Sequence, residues 1–222
     1  HLKNIDKAFK DETKLLFSEH HLSHAAAGFQ TSPFDEAIVI IIDAIGEWDT
    51  WTAWHAYYND KGHAKYKRIY TQRYPHSLGL FYSAMTKRCG LKPMEEEYIL
   101  MGMAAYGTPK YKDDIYKDFV VRNPFKLKRN LHKGIGLWHP KADVMDLAAS
   151  VQAVTEECLT DLWQRASRYA GFGNNNLVYA GGVALNCAAN RVLANLGLFE
   201  KIWIIPNPGD AGSSLGCIAA SQ

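Results

Sequence analysis

The sequence lacks the features of a membrane, secreted or nucleic-acid-binding protein. No apolar run reaches the roughly 18 residues that a membrane-spanning helix requires, and the charged opening HLKNIDKAFKDE has no apolar centre of the kind a signal peptide carries. The 25 basic and 23 acidic residues nearly cancel, so the overall charge indicates neither nucleic acid nor an anionic membrane as a partner. We therefore expect a chain that acts apart from membranes and does not bind nucleic acid.

Cysteine is scarce and scattered along the chain. The four cysteines form no C-x-x-C pair, which excludes the usual zinc knuckle and a small disulfide-stapled domain; they are Cys89, Cys158, Cys187 and Cys217. This usage fits a reducing cytoplasm, which we expect as the location. The chain opens without methionine, on what reads as the middle of a domain, so we also expect a fragment of a longer protein.

Composition and apolar patterning predict a layered α/β domain. The residues are 47% apolar and 22% charged, which is ordinary for a core-forming globular chain. Their spacing predicts the order βββ-α-β-α-β-α, with a helical insertion at about 77–145. The predicted strands are 37–42, 51–58, 64–70, 177–180 and 202–205, and the predicted helices are 12–28, 77–89, 95–106, 146–169, one from about 184, and 212–220. Ligands of open α/β sheets gather where the strands end.

The stretch EHHLSHAAA (residues 19–27) places histidines on a predicted helix. Residues four apart share a helix face, so His20 lies above His24, while His21 is turned about 100° away. Two imidazoles at this spacing reach one divalent metal ion. The spacing is also produced by chance or by helix-capping histidines, so on its own it leaves both interpretations open.

Two aspartates at predicted strand ends could complete a metal site. Asp43 follows the strand 37–42, and Asp210 follows the strand 202–205. Two histidines with one or two aspartates resemble an open catalytic site, and iron, manganese and zinc all fit such ligands. The alternatives are that Asp43 closes a turn before Gly46 and that Asp210 caps the helix 212–220.

Two glycine turns join strands to helices. Gly181 and Gly182 follow the strand 177–180, and Gly209 and Gly212 follow the strand 202–205. Glycine lets the backbone approach a ligand closely, and a helix amino end offers N–H groups to an anion. Two such loops from neighbouring strands can hold the phosphate and sugar of one nucleotide, although glycine turns also serve packing alone.

Six blocks of sequence, in order from about residue 19 to residue 216, resemble one family. Together they are similar to the O-carbamoyltransferases of the nodulation-protein-U type, which are relatives of the metalloprotein that helps to make threonylcarbamoyladenosine in tRNA. The blocks are EHHLSHAA, IIIDAIGEW, YPHSLGLFYSAMT, EEEYILMGMAAYG, GGVALNCAANRVL and NPGDAGSSLG.

The resemblance implies a fold, a metal site and a nucleotide site. The fold is of the actin, sugar-kinase and heat-shock-chaperone (ASKHA) type, with residues 1–35 ending the first lobe and residues 36–222 forming the second. The family's matching positions bind a divalent metal, commonly iron, and lie at the nucleotide. In this sequence the implied metal ligands are His20, His24, Asp43 and Asp210, and the nucleotide block is Gly181, Gly182, Val183, Ala184 and Asn186.

The resemblance also implies a reaction. Fuller members of the family carry a YrdC-like domain that makes carbamoyladenylate from ATP and carbamoyl phosphate. The metal-bearing domain then transfers the carbamoyl group to a hydroxyl of a small-molecule acceptor. This implies the substrates, but no residue is assigned as the base that accepts the hydroxyl proton.

The sequence departs from the family pattern, and rival functions stay open. The first-lobe strands expected before His1 and the YrdC-like domain expected after Gln222 are not in the sequence, so activity of the chain by itself does not follow. Ala44 stands where glycine is frequent, and Ile99 where many relatives have lysine. The rivals are threonylcarbamoyl transfer to tRNA and a non-catalytic fragment that binds a nucleotide or a metal.

Overall fold

A five-stranded mixed sheet organises the chain, with the strand order β3-β2-β1-β6-β7. The computed structural model describes residues 16–170 and 175–221. The strands are β1 (Glu36–Gly46), β2 (Asp49–Tyr58), β3 (Ala64–Arg73), β4 (Val120–Val121), β5 (Lys126–Leu127), β6 (Asn176–Ala180) and β7 (Lys201–Trp203). The helices are α1 (His20–Gln30), α2 (Leu78–Arg88), α3 (Glu97–Met103), α4 (Lys112–Asp118), α5 (Val144–Ser167), α6 (Cys187–Asn195) and α7 (Asp210–Ala219).

Strand β1 lies at the centre of the sheet, between an antiparallel and a parallel neighbour. It pairs antiparallel with β2 and parallel with β6, and β3 and β7 extend the two sides. The predicted hairpin of β2 and β3 is confirmed, and its turn is held by the Asn59 side chain, whose Oδ1 accepts hydrogen bonds from the amides of Lys61 and His63. Gly62 supplies the left-handed conformation that the turn needs, with φ of 75°.

The two faces of β1 bury alternate side chains in two separate cores. Ile38, Ile40 and Ile42 pack in the larger core with α2, α5 and the insertion. Val39 and Ile41 pack in the smaller core with residues of α1. Because a strand covered on both faces has no polar side, its sequence is a continuous β-branched run, as predicted. Helix α7 packs on α1 rather than directly on β1.

The element order βββ-α-β-α-β-α is confirmed, while several boundaries differ from prediction. Helix α1 begins at His20 and not at Glu12: residues 16–19 are not helical, and residues 12–15 lie outside the described residues. Leu16 and Phe17 are exposed, so their apolar character does not mark a buried helix face. The insertion also contains α4 and the small β4–β5 pair, which the sequence patterns did not predict.

The differences that matter most lie where elements meet the predicted site. Strand β1 continues past Asp43 to Gly46, although its regular pairing with β2 shifts after Ile42. A 3₁₀ turn occupies 182–185 where an α-helix was predicted, and α6 starts only at Cys187 because the Asn186 side chain caps it. Helix α7 starts at Asp210 and not at Gly212.

The sheet carries α1 together with the later elements. Helix α1 contacts both β1 and β6, so it belongs to the same packed unit, and a lobe boundary near residue 35 stays a prediction. Among the helices of residues 16–170 and 175–221, none is both long enough and apolar enough to cross a bilayer.

Gly216 sets the distance between α7 and α1. A Cβ atom placed on it would lie 1.7 Å from the carbonyl oxygen of Ser23, which belongs to the α1 backbone and cannot rotate away. The two helices therefore pack backbone to backbone, and this contact holds the amino end of α7 against the histidines of α1.

We expect Gly216→Ala to lower the free energy of unfolding by about 2 kcal/mol or more, because overpacking at a fixed backbone costs of this order. Gly102→Ala is the matched control: it lies within α3, has open space around it, and should raise stability by up to about 1 kcal/mol through helix propensity. Urea denaturation of both variants measures the contrast, and equal stabilities would contradict the close packing.

Candidate functional site

Four side chains from three elements converge at one point. His20 and His24 come from successive turns of α1, Asp43 comes from β1 where its pairing shifts, and Asp210 is the first residue of α7. One ligand atom from each lies within 4.8 Å of all the others. The structure thus brings together the four residues that the sequence analysis named.

The distances among these atoms suit a shared ion. The Nε2 atoms of His20 and His24 are 3.1 Å apart. Each of these nitrogens also lies 3.2 Å from Asp43 Oδ2 and 3.2 Å from Asp210 Oδ1. Ligand atoms bonded at roughly 2.0–2.2 Å to one ion are separated by about this much. Two imidazole nitrogens and two carboxylate oxygens could therefore hold one divalent metal ion.

The electrostatics of the cluster favour a positive charge on His20 and a negative charge on Asp43. The pKa of His20 is raised, chiefly by its hydrogen bond with Asp43 and against the effect of burial. Burial would raise the pKa of Asp43, but the hydrogen bonds with His20 and His24 hold it well below its usual range. Asp43 therefore remains a carboxylate, which is the form that a metal ligand requires.

The second oxygen of Asp43 is held by the backbone. Its Oδ1 accepts hydrogen bonds from the amides of Ala44 at 2.7 Å and Gly182 at 3.3 Å. The Ser77 hydroxyl donates to the carbonyl oxygens of Asp43 and Ala44, so the main chain here is also fixed. Asp43 Oδ2 is consequently aimed at the histidines while Oδ1 faces the glycine loop.

His21 points away from the cluster, as the helix geometry predicted. Its Nδ1 lies 2.8 Å from Thr52 Oγ1, which also accepts a hydrogen bond from the Trp54 indole. Burial lowers the pKa of His21 to about 3, so the ring stays neutral. Its role in the structure is to anchor α1 to β2.

A cavity of about 250 Å³ opens beside Asp43. Among the predicted cofactor residues, Gly182, Val183 and Asn186 line it. The sequence analysis did not assign the opposite wall, which comes from the insertion; its residues include Tyr82, Ser83, Glu97, Tyr98 and Met101. These five residues lie in the blocks YPHSLGLFYSAMT and EEEYILMGMAAYG. The similarity of these blocks to the family could have indicated the wall, but it assigned no role to the individual residues.

The other three predicted glycines serve the backbone around the cavity and do not line it. Gly181 has φ of 92°, and a Cβ there would lie 2.4 Å from the carbonyl oxygen of Ile42. A Cβ on Gly212 would lie 1.8 Å from the carbonyl oxygen of Asn207, while Gly209 makes only ordinary contact with Leu185. Gly181 therefore lets its loop pack against the β1 backbone, and Gly212 lets its own loop close tightly, which is the packing role left open by the sequence pattern.

The amides of the first glycine loop are largely used within the chain. Gly181 N–H donates to the carbonyl oxygen of Pro208, and Ala184 N–H donates to that of Gly181. Gly182 N–H is directed at Asp43 Oδ1. The loop amides that were expected to bind a phosphate are therefore partly used, since one of them donates to the carboxylate of Asp43.

Asn186 has a structural function as well as a place in the cavity wall. Its Oδ1 accepts a hydrogen bond from Ala189 N–H and so caps α6. Its amide also forms a reciprocal pair with Gln152 of α5, with both hydrogen bonds at 3.0 Å. Gln152 in turn accepts from the Tyr82 hydroxyl. The Asn186 side chain also contacts the Tyr82 hydroxyl, so these bonds join α2, α5 and α6.

Comparison with known families agrees with this architecture. The sequence profile described as carbamoyltransferase N-terminus matches residues 2–220. The chain belongs to this carbamoyltransferase family.

Relatives of this carbamoyltransferase-family chain include nodulation proteins. It is 42% identical over 230 residues to the Synechocystis protein sll1178, covering 93% of this chain and 36% of that one. It is 30% identical to nodulation protein NolNO of Sinorhizobium fredii, covering 93% and 31%, and 30% identical to NolO of Bradyrhizobium diazoefficiens, covering 89% and 37%. The chain spans about a third of the length of these relatives.

Solved structures establish the fold. Component A of the (R)-2-hydroxyglutaryl-CoA dehydratase of Acidaminococcus fermentans superposes with a TM-score of 0.52 at 18% identity, over 92% of this chain and 67% of that one. Full-length HypF in its phosphate- and nucleotide-bound form superposes with a TM-score of 0.50 at 13% identity, over 98% of this chain and 44% of that one. The carbamoyltransferase-family chain therefore has the predicted ASKHA-type α/β fold.

In this family member, Asn186→Ala should lower the free energy of unfolding by about 1–3 kcal/mol, because it removes a helix cap and both hydrogen bonds that Asn186 makes with Gln152. Asn195→Ala is the matched control at the exposed end of the same helix and should change stability by less than about 0.5 kcal/mol. Thermal and chemical unfolding of both variants would test this, and an unaltered Asn186→Ala protein would refute the capping role.

Proposed function

We propose that this chain is the metal-holding part of an O-carbamoyltransferase that moves a carbamoyl group from carbamoyladenylate to a hydroxyl of a small-molecule acceptor. The observation that carries the proposal is the convergence of His20, His24, Asp43 and Asp210 at the edge of a cavity. Membership of the carbamoyltransferase family supplies the group that is transferred.

A divalent metal fits the residues present. Two imidazoles and two carboxylates are ligands that Fe²⁺, Mn²⁺ and Zn²⁺ accept, and we propose Fe²⁺ as the resident ion. A bound ion would supply a Lewis acid and positive charge for the phosphate of carbamoyladenylate. His20, His24, Asp43 and Asp210 would hold such an ion through one ligand atom each.

The cavity would hold the nucleotide part of the donor. Asp43 belongs to both the cluster and the cavity lining, so a ligand in the cavity lies directly beside the ion. The rings of Tyr82 and Tyr98, which line the cavity, give apolar surface for a base. Gly182, which also lines the cavity, has no side chain and so would let the donor approach the backbone closely.

The reaction forms one bond and breaks another. The acceptor oxygen bonds to the carbamoyl carbon, and the bond from that carbon to the phosphate oxygen of AMP breaks, so AMP leaves with its electron pair. The acceptor proton passes to a base that we do not assign. The chain's own part is to hold donor and acceptor in one orientation, which replaces an encounter in solution.

The donor itself is proposed to come from outside the described part of the chain. A YrdC-like domain of the full-length protein would make carbamoyladenylate from ATP, and a small-molecule hydroxyl would accept the carbamoyl group. Most of the cavity wall is apolar, which suits the base of a nucleotide donor.

The metal assignment predicts that Co²⁺ binds the chain at one site. His24→Ala should weaken this binding by more than about 100-fold, because losing an outer-shell partner alone costs roughly 10–100-fold. His63→Ala, in the exposed hairpin turn, is the matched control and should bind like the unmodified chain. Isothermal titration and Co²⁺ absorption spectra measure both, and equal binding by the two variants would rule out the proposed ligands.

Transfer can be tested with carbamoyladenylate supplied directly to the Fe²⁺-loaded chain and a mixture of small hydroxyl compounds. Mass spectrometry should detect acceptors that carry one added carbamoyl group, and Asp43→Asn should abolish the product because it removes a carboxylate ligand and so weakens binding of the ion. Transfer of a threonylcarbamoyl group to tRNA, when threonylcarbamoyladenylate is supplied in place of carbamoyladenylate, would instead favour the rival function. Absence of transfer, with metal and nucleotide both bound, would support a non-catalytic binding fragment.

A further inference from the structure

We infer that Gly46 is a positioning residue for the metal site, because the absence of its side chain is what allows the His20 ring to lie beside Asp43. A Cβ atom on Gly46 would lie 2.4 Å from Cδ2 and 2.8 Å from Cγ of His20. It would also lie 2.6 Å from Cδ2 of His21. The inference rests on the proposed metal site.

Gly46 lies against the rings of His20 and His21, and only the His20 ring has room to move. His21 is buried, with 2% of its surface exposed, and Thr52 holds its ring. The His20 side chain is 26% exposed, so its ring has open space into which it can turn. An added Cβ would therefore displace the His20 ring, while its 2.6 Å contact with the held His21 ring would also shift the Gly46 backbone.

The backbone at Gly46 does not itself require glycine. Its φ lies outside the left-handed region, in contrast to Gly62 and Gly181. Alanine can adopt this conformation without strain, so the effect of a substitution comes from the contact with the rings. Gly46 also pairs with Asp49 just after the register shift that aims Asp43 at the histidines, which fixes its position relative to the cluster.

The consequence is specific to one ligand. Displacement of His20 removes one of four donors, while His24 is 1% exposed and lies on the next helical turn, away from the Gly46 contact. Asp43 keeps its amide hydrogen bonds from Ala44 and Gly182. We therefore expect a site with three of its four ligands after Gly46→Ala.

The experiment measures Co²⁺ binding by the 222-residue chain and its Gly46→Ala and Gly102→Ala variants. Gly46→Ala should bind Co²⁺ roughly 10–100-fold more weakly, as loss of a supporting partner typically does, and the visible spectrum of bound Co²⁺ should change. Gly102→Ala, with no atom near its added Cβ, should match the unmodified chain in both. Gly46→Ala binding that matches the unmodified chain in affinity and spectrum would overturn the inference.

A double-mutant cycle separates positioning from a general effect on the fold. In a His20→Ala background, Gly46→Ala should weaken Co²⁺ binding much less than it does in the unmodified chain, because the displaced ligand is already absent and only the contact with His21 remains. A full additional loss would overturn the inference. If Gly46→Ala alone does not fold, recovery of folding in the double variant assigns the clash to the His20 ring, whereas continued failure assigns it to the His21 ring and overturns the inference. Absence of Co²⁺ binding by the unmodified chain would instead refute the proposed metal site.

Discussion

The carboxylate of Asp43 is the point on which the site depends. One oxygen faces the two histidines of α1, and the other accepts backbone N–H groups from its own strand and from the loop after β6. A carboxylate that accepts several such bonds stays ionised, even when it is buried, because each bond favours the charged form. The cluster, the glycine loop and the cavity are therefore joined through a single side chain.

The central strand makes this junction possible. Because β1 is parallel to β6 and antiparallel to β2, its carboxyl end meets the turn that begins β2 and the loop that follows β6. Open α/β sheets place ligands at this edge for the same reason. Helix α1 covers the face of the sheet opposite to α2 and α5, and α7 packs on α1. The contact between Gly216 and Ser23 brings Asp210 of α7 to the edge where β1 ends.

The sequence patterns predicted the elements that have a strong physical signature. The β-branched run at β1, the hairpin turn with Gly62 and the long helix α5 follow directly from burial, turn chemistry and periodicity. The histidine spacing also predicted the shared face of His20 and His24.

The start of α1 could not be predicted in this way, because Leu16 and Phe17 are apolar without being buried. The wall of the cavity was missed because Tyr82 and Met101 come close to Val183 only through tertiary packing, which local patterns do not record. Asn186 was predicted as a ligand residue, and its bonds to Gln152 and α6 could be seen only once α5 had been placed beside it.

The turn between β2 and β3 lies at the edge of the sheet opposite to the metal-ligand cluster. Asp49 begins β2 at the edge that carries the cluster, whereas the turn with Asn59 and Gly62 lies one full strand length away, at the opposite edge. Its residues are exposed and bond chiefly to one another. This turn is accordingly a suitable attachment point for a fluorophore or an affinity tag, since a group placed there would sit far from the ligand side chains and from the cavity.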